Sequence, residues 1–122
     1  MKLRLILVIA FALLLTTVVI ARFQDKTYSG VLMDVACGSK TPKNGDVSAR
    51  AKGHTRNCAL MASCVKSGYG VVVGDKFYKF DDAGNTKAKA LLDASTKDKD
   101  LEVVVTGTMD GDKIKVSDIK EQ

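Results

Sequence analysis

Apolar and polar positions follow three different rhythms along the chain. The first is unbroken: Leu5 to Ala21 reads "LILVIAFALLLTTVVIA", with no charge between Arg4 and Arg22. The second alternates with the period of a strand. It appears in a β-rich run over 28–35, in two short runs over 70–73 and 76–80, and in 101–109 and 113–119. Gly74-Asp75 and Asp110-Gly111 lie where hairpin turns are needed. The third rhythm is helical. His54, Cys58, Met61 and Val65 fall at i, i+4, i+7 and i+11, which makes one stripe. Thr55 or Asn57 would cap that helix and Gly68 would end it. A shorter helix is predicted over 86–94, with Ala88, Leu91 and Leu92 inward.

Between the first strand and the main helix, Ser39 to Gly53 is polar, turn-rich and poorly periodic, and is read as a loop. The order strand, helix, hairpin, helix, hairpin predicts a β-rich α+β fold. The specific expectation is a small OB-like, five-stranded, partly open barrel with one main helix and one short helix. A flatter α+β sheet is the alternative.

The unbroken segment is not part of that domain. Two positive charges, an apolar run and small residues around Ala21 form an export signal, or an uncleaved anchor in the inner membrane. Residues 1–21 are assigned to it, and residues 22–122 to one domain. The expected location is periplasmic or secreted, with membrane contact only through residues 1–21. No cysteine follows the segment closely, so a lipidated N-terminal cysteine is not expected.

Composition narrows the function. Apolar residues make up 46% of the 122, enough for a packed core. The net charge is +5, with lysines interspersed among Asp and Glu. No basic run carries interleaved aromatics, which speaks against nucleic-acid binding. A single histidine and no recognisable Ser-His-Asp set speak against an enzyme. Tyr69, Phe77, Tyr78 and Phe80 are read as core rather than as a ligand groove. "DDAGN", Asp81 to Asn85, is read as a turn, because it lacks the full calcium-loop pattern.

The remaining chemistry is sulfur. Three cysteines in an exported chain is an odd count, so one disulfide leaves a thiol over. Residues six apart on a continuous helix lie about 9 Å apart along its axis. Disulfide Cα atoms lie about 4.4–6.8 Å apart. Cys58 and Cys64 could pair only if the helix broke between them; otherwise Cys37 is the partner for either. His54 and Cys58 share a helix face, and Cys37 can approach them across the long loop. Thiolates with an imidazole suit zinc or copper. The candidate ligands are Cys37, His54, Cys58 and Cys64, with Asp34 and Met61 as their neighbours. The disulfide candidates are Cys37, Cys58 and Cys64. Asp34 could orient His54 or a loop amide, although an Asp in such a place more often caps a turn. Simple core packing of Cys and Met is the plainer account. Neither C-x-x-C nor C-x-x-C-H is present, so no thioredoxin-like or haem motif is expected.

Taken together, "GVLMDVACG", "HTRNCALMASCVKSGYGVVV", "KFYKFDDAGN" and "VTGTMDGDKIKV" resemble a group of small exported bacterial proteins, mostly uncharacterised. The resemblance spans Ser29 to about Ile119. Its shared pattern is D-x-x-C-G, then H-x₃-C-A, then a further Cys. Asp34, Cys37, Gly38, His54, Cys58, Ala59 and Cys64 occupy those places. Such relatives often carry proline between the last two cysteines. This chain has Leu60-Met61-Ala62-Ser63 there, which points to a more continuous helix. The resemblance implies export and a small β-rich domain, and no activity.

The leading expectation is an exported, non-enzymatic binding module holding a soft metal ion. The second is a disulfide-stapled structural or interaction domain that binds an envelope protein without metal. A thiol-redox protein comes last.

Overall fold

Strand β1 (Lys26–Asp34) is shared between two neighbours, and this sharing shapes the molecule. Its first half pairs antiparallel with β4 (Glu102–Asp110), from Lys26 opposite Gly107 to Val31 opposite Glu102. Its second half pairs antiparallel with β2 (Tyr69–Val73), from Val31 opposite Val72 to Asp34 opposite Tyr69. These relations come from a computed structural model, which describes residues 24–40 and 47–122. The predicted export segment, residues 1–21, lies outside the described residues.

β2 turns at Gly74-Asp75 into β3 (Lys76–Phe80), as the spacing predicts. β4 turns into β5 (Lys113–Glu121) around Gly111-Asp112, one residue later than expected. Gly74 and Gly111 both have φ near +60°, the conformation that such tight turns demand and that glycine adopts freely. β3 and β5 pair in parallel through two residue pairs, Lys79 with Lys113 and Phe80 with Ile114. The pairing order β1-β2-β3-β5-β4 therefore returns to β1. The five strands form one mixed sheet with several short helices, the β-rich α+β fold that the sequence predicts, and the pairings run on round to β1 through this narrow parallel junction.

The helical expectations need more correction. The predicted main helix over 54–68 is two short ones, α3 (Arg56–Ala59) and α4 (Ala62–Ser67). Met61 between them is extended, at φ −62° and ψ 143°. The 39–53 loop contains α2 (Val47–Gly53), and a single turn, α1 (Val35–Gly38), follows β1 directly. The longest helix among the described residues is α5 (Asp82–Ala94), which starts four residues before its predicted start. "DDAGN" is thus the cap and first turn of α5 rather than a free turn. Asp81 caps it: Oδ1 accepts from Gly84 N at 3.0 Å and also from Val116 N of β5 at 3.2 Å. No helix among the described residues is long and apolar enough to cross a membrane.

Two apolar clusters follow. The larger lies inside the strands, where Leu32, Tyr69, Val71, Phe80, Val103, Val105 and Ile114 meet Ala88 and Leu92 of α5. Tyr69 and Phe80 are buried and Tyr78 packs against the same cluster, in line with the core reading. The smaller cluster lies on the other side of β1 and β2: Met33 and Val72 pack under Ala51 of α2, with Cys37 and Phe77 alongside. β2 is thus covered on both faces, and its run of apolar residues is continuous rather than alternating. This second layer brings α1 and α2 over the sheet and fixes where Cys37 lies.

Candidate functional site

Each cysteine occupies the same place in a different short helix. Asp34 caps α1, and its Oδ2 accepts from Cys37 N at 3.0 Å. Thr55 caps α3, and its Oγ1 accepts from Cys58 N at 3.1 Å. Met61 precedes α4, and its carbonyl accepts from Cys64 N at 2.9 Å. All three thiols therefore stand at the third residue of a first turn, held by a cap three residues earlier.

Further bonds draw the three turns together. Ser67 Oγ accepts from Ala36 N at 3.1 Å and donates to Cys64 O at 2.7 Å, clasping α4 to α1. Val35 N donates to Gly68 O at 2.8 Å. Arg50 of α2 donates to Cys37 O at 2.7 Å. Tyr69 OH, buried in the core, donates to Ala59 O at 2.9 Å and ties α3 to β2. Arg56 N donates to Asp98 O at 2.7 Å, which holds the start of α3 against the segment before β4.

The result is that the Sγ atoms of Cys37, Cys58 and Cys64 all lie within 4.8 Å of one another. Cys64 is buried and the other two are half-buried. Beside them, His54 Nε2 donates to Asp34 Oδ1 over 2.6 Å, with the two side chains 6% and 0% exposed. Asp34, His54 and Cys37 form a second group of donor atoms within 4.8 Å of one another. Asp34 caps a turn and bonds His54 as well, so two of the alternatives read for it hold together.

The predicted residues are thus brought together, with two corrections. His54 joins Asp34 and Cys37 but not Cys58 and Cys64, so the expected four-ligand set divides into two groups that share Cys37. The reason is that His54 precedes α3 rather than lying on one helix face with Cys58. Met61 turns outward and is 57% exposed, because the break at that residue destroys the predicted stripe. The same break removes the geometric objection to a Cys58–Cys64 bond. The helix is less continuous here than the missing proline suggested.

Ser67 and Arg50 are not marked in the sequence, because their residue types carry no chemical signal there. The repeated cap-x-x-Cys spacing, Asp34 to Cys37 and Thr55 to Cys58, was the signal available for the turns themselves.

The pocket holds the thiols of Cys37 and Cys64 in the protonated form. Burial first, then the Asp34 carboxylate, push the Cys37 thiol up to about 11. The same two causes lead in raising Cys64. Without an ion these thiols keep their protons at neutral pH, which opposes use as free nucleophiles. A bound cation reverses that balance, since a coordinating thiol is deprotonated. Zinc–sulfur bonds of about 2.3 Å set tetrahedral sulfurs about 3.8 Å apart, so this spacing needs little closure. A disulfide draws two sulfurs to about 2.05 Å. No family model, curated protein or solved structure matches the chain.

Proposed function

We propose that this protein is an exported, non-enzymatic binding module that holds a soft metal ion, zinc or copper, through Cys37, Cys58 and Cys64. The observation that carries the reading is the convergence of three sulfurs from three separate turns. Packing alone has no need of three thiols at one point, whereas a thiophilic ion does. The buried Asp34–His54 pair beside Cys37 supports the reading, because the same carboxylate also holds the Cys37 backbone in place. The ring of five strands is read as OB-like, with the sulfur pocket built mainly by the connection between β1 and β2. Export rests on residues 1–21, with a periplasmic or secreted location, or attachment to the inner membrane if that segment stays.

The test is metal content of the protein recovered after export, without an affinity tag. About one ion per chain, lost in Cys58→Ser, is expected. Protein that takes up neither zinc nor copper when fully reduced overturns the reading.

The same convergence supports a second reading, in which two of the three sulfurs are bridged and the domain binds an envelope protein. Thiol counting in denaturant separates the two. One free thiol per chain marks a bridge; three mark none.

A further inference from the structure

The donor set defines the class of ion more narrowly than zinc or copper. We infer that the site takes copper(I), bound by the three sulfurs of Cys37, Cys58 and Cys64 alone, with Asp34 and His54 outside the coordination sphere. This rests on the metal-binding reading above.

The oxygen, nitrogen and thioether groups around the three sulfurs are held by other partners or turned away. Asp34 has both oxygens engaged: Oδ1 accepts from His54 Nε2 and Oδ2 accepts from Cys37 N. His54 is held by that bond at 2.6 Å and is 6% exposed, so its ring does not swing freely. Its donor atoms group with Cys37 and not with Cys58 or Cys64. Met61 points to solvent. Ser67 Oγ is already shared between Ala36 N and Cys64 O. Among the described residues the pocket therefore offers three soft donors, and the hard carboxylate beside them, Asp34, is already committed to His54 and to Cys37 N.

That count discriminates between ions. Structural zinc is almost always tetrahedral with four protein ligands. Copper(I) has a filled d shell, prefers soft sulfur and is satisfied by fewer ligands. The reaction is a simple exchange. Copper(I) enters as copper(I), each sulfur that binds gives its proton to solvent, and no electron moves. Asp34 is a positioning residue in this scheme: it fixes the Cys37 backbone and the imidazole beside Cys37.

The test is X-ray absorption at the copper edge of the full exported protein, loaded with copper(I) without oxygen and with ascorbate present. Three sulfur neighbours and no nitrogen or oxygen are expected. A first shell with nitrogen or oxygen overturns the inference. So does displacement of the copper by equimolar zinc. Binding of zinc with no uptake of copper(I) overturns it while leaving the metal-binding reading standing; uptake of neither ion overturns both. Variants give an independent measure. His54→Gln is expected to change copper(I) affinity less than about tenfold, whereas Cys37→Ser, Cys58→Ser and Cys64→Ser each lower it more than about 100-fold. Circular dichroism confirms that each variant is folded. A folded His54→Gln protein that loses copper as completely as the cysteine variants makes His54 a ligand and overturns the inference.

Discussion

His54 Nε2 and Asp34 Oδ1 lie 2.6 Å apart with both side chains almost wholly out of water, and the other Asp34 oxygen accepts from Cys37 N. One buried carboxylate thus joins the end of β1, the first turn after it and the only histidine of the chain. Such a carboxylate is tolerable only while its partners remain, because an unpaired buried polar group carries its full desolvation penalty.

Asp34→Ala is therefore expected to destabilise the reduced, metal-free protein by about 3 kcal/mol. About one comes from the lost cap and about two from the stranded imidazole donor. Asp34→Asn, which keeps one acceptor oxygen, should cost about half as much. Urea titrations of the three proteins measure both. An Ala variant as stable as the parent would mean that this pair carries no weight in the fold.

Tyr69→Phe isolates the link between the core and the sulfur pocket. The ring stays and only the hydroxyl goes, so Ala59 O loses its donor at 2.9 Å. A loss of about 1–2 kcal/mol is expected. Faster amide exchange should appear in α3 and remain unchanged in β4. Exchange measured by mass spectrometry checks the locality.

Alkaline pH should weaken the metal-free protein. Burial leads in raising Cys37 from 9.0 to about 11, and Tyr69 from 10.0 to about 12. Between the ordinary and raised values the unfolded chain has given up protons that the folded chain still holds. Stability then falls as pH rises. The contribution is complete below about pH 9 and gone by about pH 12. Urea midpoints across that window, taken with reductant, should decline, and Cys37→Ser should flatten the lower part of the decline. A rise in midpoint over the same range would contradict the burial of these groups.

Asp81→Ala probes how the strands close. It removes the cap of α5 and the acceptor for Val116 N together. A cost of about 2 kcal/mol is expected from calorimetry or urea titration, one part for each bond. Asp81→Asn retains an acceptor oxygen and should recover much of it.

The strands were legible because their signal is local. Alternation in 101–109 and 113–119, with turn residues between, needs no partner to be read. The break in the predicted main helix was not legible. Leu60-Met61-Ala62-Ser63 contains nothing that stops a helix, and the break is fixed by distant groups: Tyr69 OH on Ala59 O, and the clasp of Ser67 between α4 and α1. Tertiary bonds of that kind override propensity. α2 hid inside a turn-rich stretch because only Val47 and Ala51 mark its inward face. The meeting of Cys37 with Cys58 and Cys64 was legible as chemistry, from an odd thiol count beside a lone histidine. The separation of His54 from Cys58 and Cys64 followed from the helix break and could not be read without it.

The parallel junction of β3 and β5 has a mechanical consequence. With two residue pairs and one bridging carboxylate, it is the thinnest stave joint of the ring, and thermal breathing should begin there. Cys37, Cys58 and Cys64 all belong to the connection between β1 and β2, so the ring can gape at one wall while the thiols keep their spacing.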